Sequence, residues 1–420
     1  MSAPLERALV PFMRRFPGNA GERQPVHTVY GGAHLFKSDT ARKLGEKAIV
    51  ALNEHGVDPF VFARAIGMHE AYAERIWQRV VEKLAREPVE DFRADFEDGY
   101  GNRSDDEEDG HAEMVGRELA KGMAEETLPP FVGIRIKPFS QELTRRGLRT
   151  MDIVLTTLVA ETGGKLPSNF VITLPKIQLP EQVTLLADAF DALEPRLGLP
   201  ANTLRLEFMI ETTQSILSER GESNLPRFLD AARGRAVAAH FGTYDYTASC
   251  NITAAEQRMD HPSCDFARHM MQIAYAGTGI WLSDGATNIL PIGDRETIHR
   301  AWHLHVQHIR HSLVHAYYQG WDLHPAQLPT RYAAVYSFFL EGLDAATERL
   351  RNFMQKAGQA TLVGDVFDDA ATGQGLLNYF IRGINSGALT EDEALATGLT
   401  LDELRSRSFV KILAGRRRAS

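Results

Sequence analysis

The chain has 420 residues, of which 44% are hydrophobic and 24% are charged, and these are ordinary values for a globular protein. Its formal net charge of −9 gives no general attraction to nucleic acid or to an anionic membrane, so neither partner is expected. No apolar run approaches the ~20 residues that span a bilayer. Two cysteines cannot form a disulfide framework, so we expect a reduced, cytoplasmic setting.

Eight short β-rich runs recur along the chain, with helical patterns between them. The runs are VHTVYGG (26–32), DFRADFEDG (91–99), FVGIRIKP (131–138), NFVITLPKI (169–177), LRLEFMIE (204–211), AVAAHFGTYD (236–245), GIWLSDG (279–285) and GWDLHP (320–325). From the second run onward their ends lie roughly 34–40 residues apart, the length of one strand–helix unit with its loops. Eight such units favour a closed (β/α)8 TIM barrel over an open doubly wound sheet. No G-x-G-x-x-G turn follows an early strand, which weakens a dinucleotide-binding version of the open sheet.

The spacing also predicts how the chain is divided. The first strand–helix unit is enlarged, because residues 33–90 hold extra helical material. After the eighth run the pattern turns mostly helical, with a Gly/Asp-rich loop at 363–375. We therefore predict three parts: an N-terminal segment (1–25), a TIM-barrel catalytic domain (26–326) and a helical C-terminal extension (327–420).

Polar and ionisable residues collect at the predicted strand ends. In chain order they are Glu97 and Asp98, Arg135 and Lys137, Lys176, Glu211, Asp245, Asp284 and His324. Functional groups of parallel α/β barrels lie at the carboxyl ends of the strands, so we expect these side chains to form one rim.

Two of these acids suggest a metal site. Glu211 and Asp245 end adjacent predicted strands, so their carboxylates can converge on one cation. Two carboxylates with open positions suit a hard divalent ion, most simply Mg²⁺. The alternative is that each acid caps a following helix.

Arg135 is the strongest candidate for a catalytic cation. Strand alternation sends it to the face opposite Ile134 and Ile136, which in a closed barrel is the inner face. A guanidinium forks onto carboxylates or enolate oxygens. Glu97 and Asp98 on the preceding strand can hold it, either to orient it toward substrate or purely for stability.

The rim motifs occur in a recognisable order. They are DFEDG (95–99), GIRIKP (133–138), LPK (174–176), MIET (209–212), FGTYDYT (241–247) and WDLHPAQ (321–327). The chain resembles the citrate lyase β-subunit / malyl-CoA lyase / HpcH–HpaI aldolase superfamily, which also contains malate synthase. The resemblance covers roughly residues 26–327.

The resemblance implies specific roles for the rim. Mg²⁺ is bound by Glu211 and Asp245 and holds a 2-oxo acid, Arg135 stabilises charge on the reacting oxygen, and the Glu97–Asp98 pair bonds metal-bound water or that arginine. Lys176, at the end of the fourth run, is a candidate for substrate binding, with a barrel-interior ion pair as the alternative, and Gly242 and Thr243 are further candidates. Asp284 and Asp322 are rim candidates by position, and the resemblance makes either one a candidate for the base.

The sequence thus predicts a Mg²⁺-dependent carbon–carbon lyase or aldolase that acts through an enolate. Its expected partners are a small-molecule 2-oxo acid or an acyl-CoA, and a homo-oligomer is expected. The alternatives are a malate synthase-like condensing enzyme and a non-catalytic metabolite-binding barrel.

A His-rich segment at 299–320 precedes the last strand run. His308, His311 and His315 lie on one face of the predicted helix, a pattern compatible with zinc. Packing or surface histidines on an outer barrel helix are the plainer interpretation.

Overall fold

The computed structural model describes residues 3–18, 22–355, 361–363, 366–368, 370–406, 411–412 and 415. Eight parallel strands close into one barrel in chain order. They are β1 (His27–Gly32), β2 (Asp91–Asp95), β3 (Phe131–Arg135), β4 (Phe170–Leu174), β5 (Arg205–Ile210), β6 (Ala236–Phe241), β7 (Trp281–Ala286) and β8 (Gln319–Asp322). The predicted (β/α)8 barrel is confirmed, and each predicted run overlaps one of its strands.

Helices surround the barrel and extend beyond its last strand. They are α1 (Ala3–Arg15), α2 (Thr40–Ala51), α3 (Pro59–Ile66), α4 (Ala73–Arg86), α5 (Asp105–Glu125), α6 (Thr144–Thr162), α7 (Pro180–Arg196), α8 (Thr213–Ile216), α9 (Leu225–Ala231), α10 (Thr243–Ser249), α11 (Pro262–Tyr275), α12 (Arg295–Val314), α13 (Leu328–Gln355), α14 (Ala370–Asn385), α15 (Glu391–Leu395) and α16 (Leu401–Ser406). Within the described residues, no helix combines the length and the apolar character needed to cross a membrane.

The first strand–helix unit is enlarged, as predicted, and holds three α-helices. Asp58 begins α3 by accepting hydrogen bonds from the backbone N–H groups of Phe60 and Val61, each at 2.8 Å. Gly67 ends it in the left-handed conformation at φ 71°, where a side chain would be strained. α4 then buries Ile76 and Val80 against the core.

The barrel interior is filled by ion pairs as well as by apolar side chains. On β2 the alternating residues Asp91, Arg93 and Asp95 are all buried. Arg93 donates two hydrogen bonds of 2.8 Å to Glu207 on β5, across the barrel, and also contacts Asp91. A buried charge is costly unless it is paired. The pairing of Arg93 with Glu207 and Asp91 therefore allows these three charged residues to be buried inside the barrel, below the rim.

The C-terminal region is mostly helical, but its first helix belongs to the barrel layer. α13 follows β8 and packs against α12 and α4, so it takes the place of the outer helix of the eighth unit. The predicted loop at 363–375 is partly wrong: residues 361–363 and 366–368 pair as two short antiparallel strands, β9 (Thr361–Val363) and β10 (Val366–Asp368). The division into three parts stays a prediction.

Candidate active site

Arg135 is the last residue of β3 and is almost fully buried. Its Nε and Nη2 donate to the two carboxylate oxygens of Asp95, at 2.7 and 2.6 Å. Its guanidinium also lies over the ring of Tyr30, 4.8 Å from the centroid. This bidentate pair and the ring fix the plane of the guanidinium.

Asp95, rather than the predicted Glu97 and Asp98, is the main partner of Arg135. It is the last residue of β2 and also accepts hydrogen bonds from the backbone N–H groups of Glu97 and Gly99. The Nη1 of Arg135 lies 3.3 Å from a Glu97 oxygen and 3.9 Å from an Asp98 oxygen. Strand alternation of Asp91, Arg93 and Asp95 was the feature of the sequence that could have identified it.

The Lys176 ammonium links the acids that follow β2 to the acid that follows β6. Its Nζ contacts Glu97 and lies 3.2 Å from Asp98 and 3.2 Å from Asp245. Its backbone has φ 50°, an uncommon conformation for a residue with a side chain, and such residues concentrate at functional sites. Burial opposes the charge on Lys176, but Glu211 and Glu97 outweigh it and hold the pKa of the ammonium above its ordinary value.

Glu97 can exchange a proton near neutral pH. Its pKa is raised to about 7, because burial and the neighbouring Asp98 raise it more than Arg135 and Lys176 lower it. The side chain lies among charged groups at the mouth of the barrel, so it is an acid of this cluster whose charge changes near neutral pH.

Glu211 directly follows β5 and is 1% exposed. One oxygen accepts a hydrogen bond of 2.7 Å from the backbone N–H of Lys176. Burial raises the pKa of Glu211 to about 8; Lys176 lowers it and Asp245 raises it further. A Cβ on Gly242 would lie 2.5 Å from the other Glu211 oxygen, so a glycine at this position is what gives the carboxylate its room.

Asp245 and Thr243 lie beyond the strand rather than at its end. β6 stops at Phe241, and Asp245 stands in the first turn of α10 with 39% of its side chain exposed. The hydroxyl of Thr243 is 3.1 Å from the sulfur of Met259. The cluster therefore includes the Asp245 carboxylate, whereas the Thr243 side chain packs on a neighbouring loop.

The charges of this rim cluster do not balance. It contains five carboxylates and two cations: Asp95, Glu97, Asp98, Glu211 and Asp245, with Arg135 and Lys176. If all were ionised, three negative charges would remain. Oxygen ligands with an unmet negative charge suit a hard divalent cation such as Mg²⁺, and Glu211 with Asp245 would hold it. A cation there would also reverse the raised pKa of Glu211.

Asp284 and Asp322, the expected candidates for the base, do not join the rim cluster. Asp284 is bound by Arg268 of α11 and Ser312 of α12. Asp322 is bound by Arg331 at 2.9 Å and by two histidines. Both carboxylates are completely buried between the barrel and its helices, because strand alternation turns them outward. This corrects the predicted rim position, and we do not propose either as the base.

A cavity of about 960 Å³ lies at the opposite end of the barrel. Residues at or near the starts of strands line it, including Phe131, Phe170, Arg205 and Trp281. In (β/α)8 barrels that face contributes to stability while chemistry occurs at the other face. We therefore place the site at the rim cluster.

Comparison with known proteins supports the fold. A family model described as "Domain of unknown function (DUF6986)" matches residues 5–412, and the chain belongs to this family. No curated protein matches the chain.

Solved structures resemble the chain at low sequence identity. A citrate lyase from Burkholderia xenovorans LB400 is 20% identical with a TM-score of 0.61, over 92% of this chain and 100% of that chain. CitE from Mycobacterium tuberculosis, in complex with magnesium, acetoacetate and coenzyme A, is 13% identical with a TM-score of 0.50, over 88% and 100% of the two chains. At such identity these likenesses show the fold alone.

Proposed function

We propose that this member of the DUF6986 family is a Mg²⁺-dependent lyase or aldolase. It would make or break a carbon–carbon bond beside a 2-oxo acid, through an enolate. The observation that carries the proposal is the rim cluster: a buried, oriented arginine next to carboxylates with an excess of negative charge at the carboxyl ends of β2 to β6.

Arg135 is the group that meets developing negative charge. Two of its nitrogens are held by Asp95, and Nη1 has only the longer contacts to Glu97 and Asp98. Nη1 can therefore donate a hydrogen bond to a substrate oxyanion, while the bidentate pair with Asp95 keeps the guanidinium in place. Preorganised donors of this kind stabilise a transition state without reorganising.

Glu97 is the group that holds or releases the proton. With a pKa of about 7 it is present in both protonation states near neutral pH, which is the condition for efficient general acid–base catalysis. Lys176 and Arg135 contact it from two sides and fix its carboxylate.

The remaining residues bind and orient the substrate acid. Glu211 and Asp245 would hold Mg²⁺, which when bound supplies Lewis-acid polarisation of a carbonyl. Lys176 lies beside Glu211 and Asp245, so its ammonium group can bind the carboxylate of a substrate held there. Gly242 keeps the space beside Glu211 open.

A cavity beside the rim supports an acyl-CoA as the second partner. It has a volume of about 300 Å³ and borders Tyr30, the residue that stacks on Arg135. Lys37, Lys43 and Lys47 also line it. Ammonium groups next to an apolar cleft suit a ligand that carries phosphates on an extended chain.

The test is thermal stabilisation of the full chain by oxalate, pyruvate, oxaloacetate or glyoxylate, each with and without Mg²⁺. A ligand that binds only the native state raises the melting temperature. We expect stabilisation that needs both the acid and Mg²⁺ and that the control variant Glu211→Gln lacks. Carbon–carbon turnover is then measured with the acid that binds, with and without acyl-CoA.

A flat response across the acids would contradict the proposal. Mg²⁺-dependent binding without turnover would instead favour a non-catalytic metabolite-binding barrel.

A further inference from the structure

A second cluster of potential metal ligands lies in the outer helical layer. It consists of Asp265 on α11, His311 on α12 and His315 just after α12, and one ligand atom from each lies within 4.8 Å of the others. The Nε2 of His311 is 2.8 Å from an oxygen of Asp265. The rings of His311 and His315 are 4.4 Å apart between centroids. All three side chains are partly exposed, so an ion can reach them.

The helices explain why these residues meet. His311 and His315 are four residues apart, so they occupy one face of the end of α12. Asp265 stands on the neighbouring α11, where His269 follows four residues later. The ring of His269 lies 5.6 Å from that of His315 and borders the cluster. His308, grouped with these histidines in the sequence, bonds Thr287 at 2.9 Å and is not part of the cluster.

We propose that Asp265, His311 and His315 bind one borderline transition-metal ion, Zn²⁺ for preference, with water completing its coordination. Two imidazole nitrogens and a carboxylate form a ligand set that Zn²⁺ accepts readily. Mg²⁺ prefers all-oxygen ligands, so this site selects a different ion from the rim cluster.

The hydrogen bond made by His315 prepares it for this role. Its Nδ1 is 2.8 Å from the backbone carbonyl of His311. An Nδ1–H that donates to a carbonyl leaves Nε2 with a lone pair for a metal, the arrangement usual for ligating histidines. The ring is therefore oriented before an ion arrives.

The nearby arginine does not make the cluster positive. Arg268 donates to Asp265 at 2.6 Å and to Asp284 at 3.0 Å. Its Nη2 also lies 3.3 Å from the Nε2 of His311. The one guanidinium thus faces two carboxylates, and one negative charge remains for a cation. Burial raises the pKa of Asp265, but hydrogen bonds from Arg268 and His311 outweigh this and keep the pKa below its ordinary value. Asp265 is therefore ionised at neutral pH.

Zn²⁺ titration of the full chain, followed by calorimetry in the presence of excess Mg²⁺, tests the proposal. We expect one tight Zn²⁺ per chain, with affinity reduced at least ~10-fold in His315→Ala and in His311→Ala. His303→Ala removes an exposed histidine from the same helix and should bind like the wild type. Glu211→Gln, altered only at the rim, should also keep the site.

Co²⁺ absorption on the same proteins reports histidine ligation directly. The expected spectrum is present in the wild type and absent in His315→Ala, which should fold because the His315 side chain is partly exposed. Unchanged Zn²⁺ affinity in a folded His315→Ala would overturn the proposal. So would loss of Zn²⁺ binding in Glu211→Gln alone, which would mean that the ion binds at the rim.

Discussion

Arg135 and Arg93 are both buried arginines on the inner face of the barrel, but their surroundings differ. The N–H groups of Arg93 donate hydrogen bonds within the protein, to Asp91, Glu207 and a backbone carbonyl. Arg135 makes short hydrogen bonds to one acid only, Asp95. The first arrangement is that of a structural ion pair, and the second leaves capacity for a ligand.

This difference gives the first prediction. Arg135→Lys keeps the charge but loses the planar fork, so kcat should fall by roughly 10²-fold with a smaller change in KM. Arg93→Lys, the matched control, should lower the melting temperature while kcat stays within a few-fold. Kinetics and melts of both variants decide it. Wild-type turnover in Arg135→Lys would make the arginine a structural partner of Asp95.

Glu211 gives a prediction about pH. Burial raises its pKa from 4.5 to about 8 in the folded protein. Between those values the folded protein holds a proton that the unfolded chain has released, so this group makes the free energy of unfolding fall as pH rises. Glu211→Gln is neutral throughout and removes the effect. Without metal, the variant should therefore gain stability over the wild type as pH increases.

Melts at about pH 5 and about pH 8.5, with EDTA or with Mg²⁺, measure this. The advantage of Glu211→Gln should grow with pH in EDTA and disappear in Mg²⁺, because the ion stabilises the ionised carboxylate of the wild type alone. Parallel curves for the two proteins under every condition would show that Glu211 neither titrates in this range nor binds the ion.

At the residue scale the sequence identified the charged groups better than their partners. Glu97, Lys176 and Glu211 were recognised because each stands out next to an apolar run. Asp95 was missed since it lies inside the run, where only strict alternation reveals that it points inward. The stacking of Tyr30 on Arg135 joins residues that are far apart in the sequence, and no local pattern predicts it.

At the scale of elements, the turn between β6 and α10 determines the shape of the rim cluster. Gly242 lies between the end of β6 and the start of α10, with φ −100°, a conformation that any residue can adopt. Its requirement for glycine is therefore steric, because a Cβ would lie 2.6 Å from the Cβ of Glu211.

Gly242→Ala should displace Glu211 and weaken Mg²⁺ binding by about tenfold or more while the protein still folds, since a ligand shift of this size disturbs coordination. Gly110→Ala is the control: a Cβ there meets nothing within 4 Å in helix α5, and it should stabilise the protein by about 0.5–1 kcal/mol. Mg²⁺ titrations and melts compare the two. Equal Mg²⁺ affinity in both variants would remove Glu211 from the metal site.

The positions of the strands could be predicted from the sequence, but the direction in which their side chains point could not. The eight strands follow from short β-rich runs, which are near-evenly spaced from the second run onward. Asp284 and Asp322 lie in two of those strands, yet they face the helices, where Arg268 and Arg331 neutralise them. A one-residue change of register reverses the face of a side chain, and sequence runs do not fix register to that precision.

At the scale of the whole molecule, charge and helices are distributed unevenly around one barrel. The carboxyl ends of the strands carry the rim cluster. The helices beyond β8 pack on the outside: Glu393 contacts Arg75 and Arg79, and Arg382 donates to Gln24 at 2.8 Å, just before β1. The extension thus contacts both the enlarged first unit and the segment just before β1.

The last prediction concerns this extension. A chain ending at residue 355 loses α14, which packs on α13, and uncovers Leu350 and Phe353, both buried in the full chain. Because α13 is the outer helix of the eighth barrel unit, uncovering it should lower the melting temperature and promote self-association. Glu393→Gln, which removes the charge that contacts Arg75 and Arg79 but keeps an oxygen for the Thr390 N–H, should cost about 1 kcal/mol. Melts and light scattering compare the truncated chain, this variant and the wild type. A truncated chain that is monomeric and melts like the full chain would show that the helices beyond residue 355 are dispensable to the barrel.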